Sequence, residues 1–164
     1  MNNQSNSQVT RRDFLKLGVG ALSALAVLEI GGASLLFMKP RTLEGEFGGV
    51  VDAGAVDSFT PGSVVHFPGS RFYLIRAPEG GFLAVYQRCT HLGCSVEWEA
   101  DKGQFFCPCH ASSFDMVGNV QNPPAPRALD TFPVTIEDGQ VLVDTGTIQS
   151  RDSFAAEQLA YAGQ

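Results

Sequence analysis

The chain has 164 residues, of which 44% are hydrophobic and 17% charged, so it is too apolar for a long disordered protein and long enough for one modest domain with an appendage. Its net charge of −6 argues against nucleic acid as a partner. That charge is unevenly placed: a basic head holding Arg11, Arg12 and Lys16 precedes an acidic body, the pattern of a chain that crosses a membrane.

Residues 1–9 are polar and lead into Thr10-Arg11-Arg12-Asp13-Phe14-Leu15-Lys16, which resembles a twin-arginine export signal and marks 1–16 as a cytoplasmic signal region. Residues 17–38 are almost continuously apolar, enough at about 1.5 Å per residue to span a bilayer core of roughly 30 Å. Cleavage after Ala26 would leave an apolar tail in water, so an uncleaved transmembrane anchor is expected. The positive head places the N-terminus in the cytoplasm and the body on the extracytoplasmic side of a prokaryotic inner membrane. Glu29 falls inside this span, where an ionisable group is expected to face a partner's helix rather than lipid.

Residues 39–49 are polar and glycine-bearing and read as a flexible tether. Beyond them short apolar runs alternate with glycine and proline, predicting strands at 47–52, 64–67, 72–77, 82–87, 95–98, 104–107, 134–137 and 140–144. Pro78-Glu79-Gly80-Gly81, Gly118-Asn119 and Asp138-Gly139 are turn signals between them. No segment from 42 to 145 keeps a helical period for three turns, so the body, residues 50–147, is expected to be a small all-β domain, a partly closed barrel or sandwich. The alanine-rich tail, 148–164, is expected to form a short helix from about Ser153 and carries no chemistry of its own.

All four cysteines and two of the three histidines lie in two boxes, Cys89-Thr90-His91-Leu92-Gly93-Cys94 and Cys107-Pro108-Cys109-His110-Ala111-Ser112-Ser113-Phe114. Two thiolates and two imidazoles in the pattern Cys-x-His and Cys-x-x-His suit either of two centres. Tetrahedral zinc would make the site a structural staple. A [2Fe–2S] centre with two cysteines on one iron and two histidines on the other would make it an electron carrier. Zinc would leave two cysteines, Cys94 and Cys109, without employment.

These boxes resemble those of the Rieske iron–sulfur proteins, especially the disulfide-containing type of quinol–cytochrome c oxidoreductases. The resemblance implies a small antiparallel β domain with a cluster-binding subdomain, behind one N-terminal transmembrane helix. It implies Cys89 and Cys107 as ligands of the buried iron, His91 and His110 as ligands of the outer iron, and Cys94–Cys109 as a disulfide. Leu92 would cover the cluster from the first loop, and Asn122-Pro123-Pro124-Ala125-Pro126, with Pro124 central, from a third side. His110, with His91 beside it, would contact quinol and take its proton. His66, the histidine outside the boxes, is read as a strand residue without a role.

The ligand set explains the expected job. Exchanging two anionic thiolates for neutral imidazoles removes negative charge and raises the potential into a range of about −150 to +300 mV, within reach of quinols. Three positions depart from the family pattern. Pro123 and Ala111 stand where glycine is usual, and alanine is strained wherever φ must be positive. Ser112 keeps the hydroxyl that donates to the cluster, but Phe114 replaces a tyrosine. The lost hydrogen bond lowers the expected potential towards a menaquinol-like donor.

The implied function is a Rieske subunit of a membrane cytochrome bc-type complex in a respiratory chain, taking one electron and one proton from quinol and passing the electron to a cytochrome c-type haem. Its partners would be cytochrome b-type and cytochrome c-type subunits, quinol and the membrane. The alternative is the small Rieske relay subunit of an arsenite-oxidase-like molybdenum enzyme.

Overall fold

A computed structural model describes residues 10–38 and 47–163 and contains two separate units, divided after Arg41. Most of the expected tether, 39–46, lies outside the described residues.

The first unit is one helix, α1 (Arg11–Met38), the only described helix long and apolar enough to cross a membrane. It starts earlier than the apolar run because its end is capped. Thr10 Oγ1 accepts from the Asp13 N–H at 3.2 Å, and the Asp13 carboxylate accepts from the Thr10 N–H at 3.3 Å. This reciprocal pair satisfies two donors of the first turn and draws Arg11 and Arg12 into the helix. At about 1.5 Å per residue, α1 is roughly 42 Å long.

The second unit is built from eleven strands in three antiparallel sheets, as the all-β expectation has it. β1 (Val50–Ala55), β11 (Gln140–Asp144) and β10 (Val134–Glu137) form the first sheet. β2 (Val64–Phe67), β3 (Phe72–Arg76), β4 (Phe82–Tyr86) and β9 (Thr131–Phe132) form the second. β5 (Glu97–Glu99), β6 (Gln104–Phe106), β7 (Ser113–Phe114) and β8 (Val120–Asn122) form the third.

The second sheet is the middle layer, and its sequence shows why. Successive strand residues point to opposite faces, so a strand covered on both sides is apolar throughout. β4 reads Phe82-Leu83-Ala84-Val85-Tyr86, and all five side chains are buried. Phe82, Ala84 and Tyr86 pack with Phe72, Leu74, Phe132 and Val141 of one core, facing the first sheet. Leu83 and Val85 join Tyr73, Ile75, Phe105 and Phe114 in a second core, beneath the third sheet.

The third sheet is a meander, so alternate connections share an end. The entry to β5, the β6–β7 loop and the exit from β8 therefore come together. These segments carry the first box, the second box and the proline-rich segment.

The tail departs from the helix expected at Ser153. Among its described residues the only helical element is the single 3-10 turn Ala156–Gln158, and backbone pairs on either side of that turn pin the tail to the domain. Gln149 and Thr131 exchange backbone hydrogen bonds at 2.8 and 3.0 Å, as do Ala160 and Phe82 at 2.9 and 2.8 Å. Between these ties Arg151 is buried and donates from Nε to the Leu129 carbonyl at 2.8 Å, from Nη1 to Gln158 Oε1 at 2.7 Å, and from Nη2 to the Val117 carbonyl. The Ala155 and Ala156 carbonyls accept from Gln158 and Leu159 in the 3-10 turn, and the pairing of Ala160 with Phe82 ends it after that single turn.

Candidate metal centre

The two boxes fold into the same loop. The Cys89 N–H donates to the Cys94 carbonyl at 2.8 Å, and the Gly93 N–H donates back to the Cys89 carbonyl at 2.9 Å. In the second box the Cys107 N–H donates to Ser112 O at 2.9 Å and the Ala111 N–H to Cys107 O at 3.0 Å. Each loop thus turns on a residue of positive φ four places after its first cysteine, Gly93 at 83° and Ala111 at 60°. The positive φ that Ala111 would strain against is present.

This geometry puts both leading cysteines inside and both histidines outside. Cys89 and Cys107 are free thiols, each 2% exposed. The His91 and His110 rings meet edge to face with centroids 4.9 Å apart, His91 half-buried and His110 exposed. Burial pushes the Cys89 thiol above its ordinary range, while the His91 N–H and the Ser112 side chain, both hydrogen-bonded to it, favour the thiolate.

Cys94 and Cys109 form a disulfide that joins the two loops with Cα atoms 6.6 Å apart. Their sulfurs lie within 4.8 Å of the Cys107 sulfur. Oxidised to a disulfide, they are no longer thiolates, so the donors left in the loops are Cys89, Cys107, His91 and His110.

The proline-rich segment is held against both loops. Asn122 Nδ2 donates to the carbonyl of Ala111 at 2.8 Å and to that of Pro123 at 3.0 Å. Ser112 Oγ accepts from the Ala125 N–H at 3.0 Å, which leaves its own hydrogen for the Cys89 sulfur. The Thr90 hydroxyl donates to the Arg127 carbonyl at 2.7 Å, and Arg127 pairs with Asp130. Leu92 stands 71% exposed at the tip of the first loop, and Pro124 is exposed on the segment beside the second.

Phe114 is fully buried in the same core as Cys89 and Cys107, at the start of the path out of the second loop. His66 takes no part: it is exposed on β2 with its ring stacked on Tyr73 at 4.3 Å. The clamping roles of Asn122, Thr90 and Arg127 were not read from the sequence. A lone amide, hydroxyl or cation in a loop carries no spacing signal, and its partner becomes visible only when the chain has folded.

Residues 49–133 match the Rieske [2Fe–2S] domain. This chain belongs to that family. As a Rieske protein it is similar to the cytochrome b6-f complex iron-sulfur subunit 2 of Trichormus variabilis, 30% identical over 158 residues that cover 87% of this chain and 89% of the relative. It is similar also to the cytochrome b6-f complex iron-sulfur subunit of Parasynechococcus marenigrum, at 32% identity with 84% and 85% covered. Among solved structures, it resembles the cyanobacterial plasma membrane Rieske protein PetC3 from Synechocystis PCC 6803, at 30% identity and TM-score 0.46, over 57% of this chain and 98% of that one. A chain of a hyperthermophilic respiratory Complex III is 29% identical with TM-score 0.49, over 77% of this chain and 98% of that one.

The Rieske family implies one Rieske-type [2Fe–2S] cluster, and the donor chemistry fits it. Two buried cysteine thiols and two imidazoles in edge-to-face contact form a mixed set that matches the Cys2His2 requirement.

Proposed function

We propose that this chain is the membrane-anchored electron carrier of a quinol-oxidising cytochrome bc-type complex, with Cys89, His91, Cys107 and His110 holding the cluster. The observation that carries this reading is the extent of the similarity to cytochrome b6-f iron-sulfur subunits, which covers 87% of the chain and so reaches beyond the cluster domain. Those relatives are subunits of cytochrome b6-f complexes, which supports the same class of complex here. The exposure of His110 supports a contact at the loop tip.

A Rieske cluster supplies a one-electron acceptor with a potential of about −150 to +300 mV. His110, exposed at the tip with His91 packed against it, presents the imidazole nitrogen that hydrogen-bonds a quinol hydroxyl and takes its proton. Leu92 supplies the apolar contact beside that nitrogen. Ser112 donates towards the Cys89 sulfur, while Phe114 has no hydroxyl to offer, so the donor favoured is a low-potential, menaquinol-like quinol. The disulfide joins the two ligand loops, and the Asn122–Ala111 and Thr90–Arg127 hydrogen bonds tie each of them to the chain at and just after the proline-rich segment.

The N-terminal segment, with its paired arginines, serves export and then anchors the protein as a single-pass subunit with a cytoplasmic N-terminus. The body, 50–147, lies outside, and residues 39–49 tether it.

The test is an EPR-monitored redox titration of the full-length protein purified with its partners. A Rieske signal with a midpoint in the lower half of the family range, together with co-purifying b-type haem, is the expected result. Molybdopterin in place of haem would overturn the bc-type assignment in favour of a molybdenum-oxidase relay. A midpoint near +300 mV would overturn the menaquinol preference.

A further inference from the structure

Residues 47–163 contain six basic side chains against thirteen acidic ones. Four of the six are engaged within the fold. Arg76 donates to the carbonyls of Val56 and Phe59. Lys102 pairs with Glu99 at 3.0 Å, Arg127 pairs with Asp130, and Arg151 is buried among the acceptors named above. The remaining two, Arg71 and Arg88, have no carboxylate partner among the described residues, and both line one cleft of about 490 Å³ with Tyr86, Gln87, Gly93 and Ser95.

This cleft is a built feature. Arg71 has a left-handed backbone, φ 58°, its carbonyl accepts from the Gln87 N–H at 2.9 Å, and its guanidinium lies 5.0 Å from the centre of the Phe47 ring. That stacking holds the planar fork in place and leaves its N–H edge for a ligand. Arg88 immediately precedes Cys89, and its Nε lies 3.0 Å from where a Cβ on Gly93 would stand. The first ligand loop therefore forms one wall of the cleft, and the same loop carries His91 and the exposed Leu92.

We propose that the Arg71/Arg88 cleft docks a carboxylate-bearing surface of the protein that exchanges electrons at the tip of this loop; the partner's role rests on the electron-carrier reading above. A body in contact with Leu92 and His91 is within reach of a cleft that shares Gly93 with them. In an otherwise acidic unit, two guanidinium groups at one spot, the first stacked on Phe47, orient an acidic partner and reject a basic one. Carboxylates meet a guanidinium fork with two parallel hydrogen bonds, which fixes orientation as well as attraction.

The test uses the full-length, cluster-loaded protein in detergent and three named probes: hexa-aspartate peptide, inorganic phosphate and phosphatidylglycerol vesicles. Hexa-aspartate is expected to bind, to lose about tenfold in affinity in Arg71→Glu, and to be released at about 1 M salt. Arg71→Lys, which keeps the charge and loses the fork, should fall between the parent and Arg71→Glu. Arg88→Gln, checked for cluster content by its visible spectrum, should weaken binding in the same way. The thermal midpoint, read in parallel, separates lost charge from lost structure. No binding by the wild-type protein overturns the proposal, as does an affinity in Arg71→Glu equal to that of the parent. Phosphate competing as strongly as the peptide would mark a small-oxyanion site, and vesicle binding alone a headgroup site; either result overturns it. These measurements involve neither quinol nor haem, so their failure leaves the electron-carrier reading standing, and that reading fails separately in the redox titration.

Discussion

Gly93 and Ala111 hold the same place in two copies of one loop. Each donates its N–H to the carbonyl of the cysteine four residues earlier, at 2.9 and 3.0 Å, and each has positive φ, 83° and 60°. Only one of them is glycine. A left-handed backbone costs a residue with a Cβ about 1–2 kcal/mol, offset in part by the greater freedom glycine has when unfolded. Ala111→Gly should therefore raise stability by about 0.5–1 kcal/mol in denaturant titration of the holoprotein. Gly93→Ala should lower it by at least about 1 kcal/mol, because its Cβ would also meet Arg88 Nε at 3.0 Å. A loss of stability in Ala111→Gly, or none in Gly93→Ala, would show that the left-handed backbone is not what sets the cost at these positions.

The Cys94–Cys109 bond closes a span of fifteen residues between the loops. A loop of that length contributes about 3 kcal/mol through the unfolded chain. Replacing both cysteines with serine should lower unfolding stability by that order and let the loops separate, so that the cluster's visible absorbance decays faster on storage. A double variant as stable as the parent, with equally durable absorbance, would remove the disulfide from the list of what holds the site.

Much of this site was legible because ligand chemistry concentrates in sequence. Cysteines and histidines confined to two short boxes pointed to one centre before any strand was placed, and Ala111 in a glycine's position announced the positive φ that the loop contains. Strands bounded by clear turn residues were equally readable: β2, β10 and β11 have the expected bounds, whereas β1 lies at Val50–Ala55 rather than 47–52. The two-residue strands β7 and β9, and the three-residue β8, were not, since so few residues carry no period. The tail misled for a related reason. Alanine favours helix locally, but here backbone pairing with Phe82 and Thr131 decides, and those partners lie 78 and 18 residues away in sequence.

Phe114 lies fully buried in the core that also holds Cys89 and Cys107. A tyrosine there would bring a hydroxyl donor towards the cluster's sulfurs. A hydrogen bond to a charged acceptor contributes about 1.5–3 kcal/mol, which for one electron corresponds to roughly 60–130 mV. Phe114→Tyr should raise the midpoint potential by that amount, and Ser112→Ala should lower it. Potentials come from EPR-monitored titration of each variant. An unchanged potential in Phe114→Tyr would show that the missing hydroxyl does not set the potential.

Tyr73 supplies the alkaline limit of stability. Burial raises its hydroxyl above the ordinary value of 10.0, the Glu97 charge adds to this, and hydrogen bonds from the Trp98 N–H and the Gln87 side chain oppose it. The folded protein thus keeps this proton at a pH where the unfolded chain has released it. The corresponding stability is complete below about pH 10 and is lost as pH rises through the folded value. Urea midpoints should fall from about pH 10 upward in the parent and fall less steeply in Tyr73→Phe. Parallel curves for the two proteins would exclude Tyr73 as the source.

Arg151 joins the tail to the segment that shapes the site. Its three hydrogen bonds end on Val117, Leu129 and Gln158, and a Cβ on Gly118 would lie only 2.7 Å from its Nη2. Val117 and Gly118 belong to the turn between β7 and β8, the strands that lead from the second box into the proline-rich segment. Burial lowers the guanidinium pKa to about 10, with Asp115 and Asp130 opposing, so the charge is retained at neutral pH in a buried position. Removing the side chain would leave two carbonyls and an amide oxygen without their donors, at a cost of about 1–3 kcal/mol for each that water cannot reach. Arg151→Ala should therefore destabilise the holoprotein by about 2–4 kcal/mol in urea titration, and Arg151→Lys, which can satisfy only part of the set, by less. A loss below about 1 kcal/mol in Arg151→Ala would mean that the two backbone ties at Gln149 and Ala160 hold the tail without it.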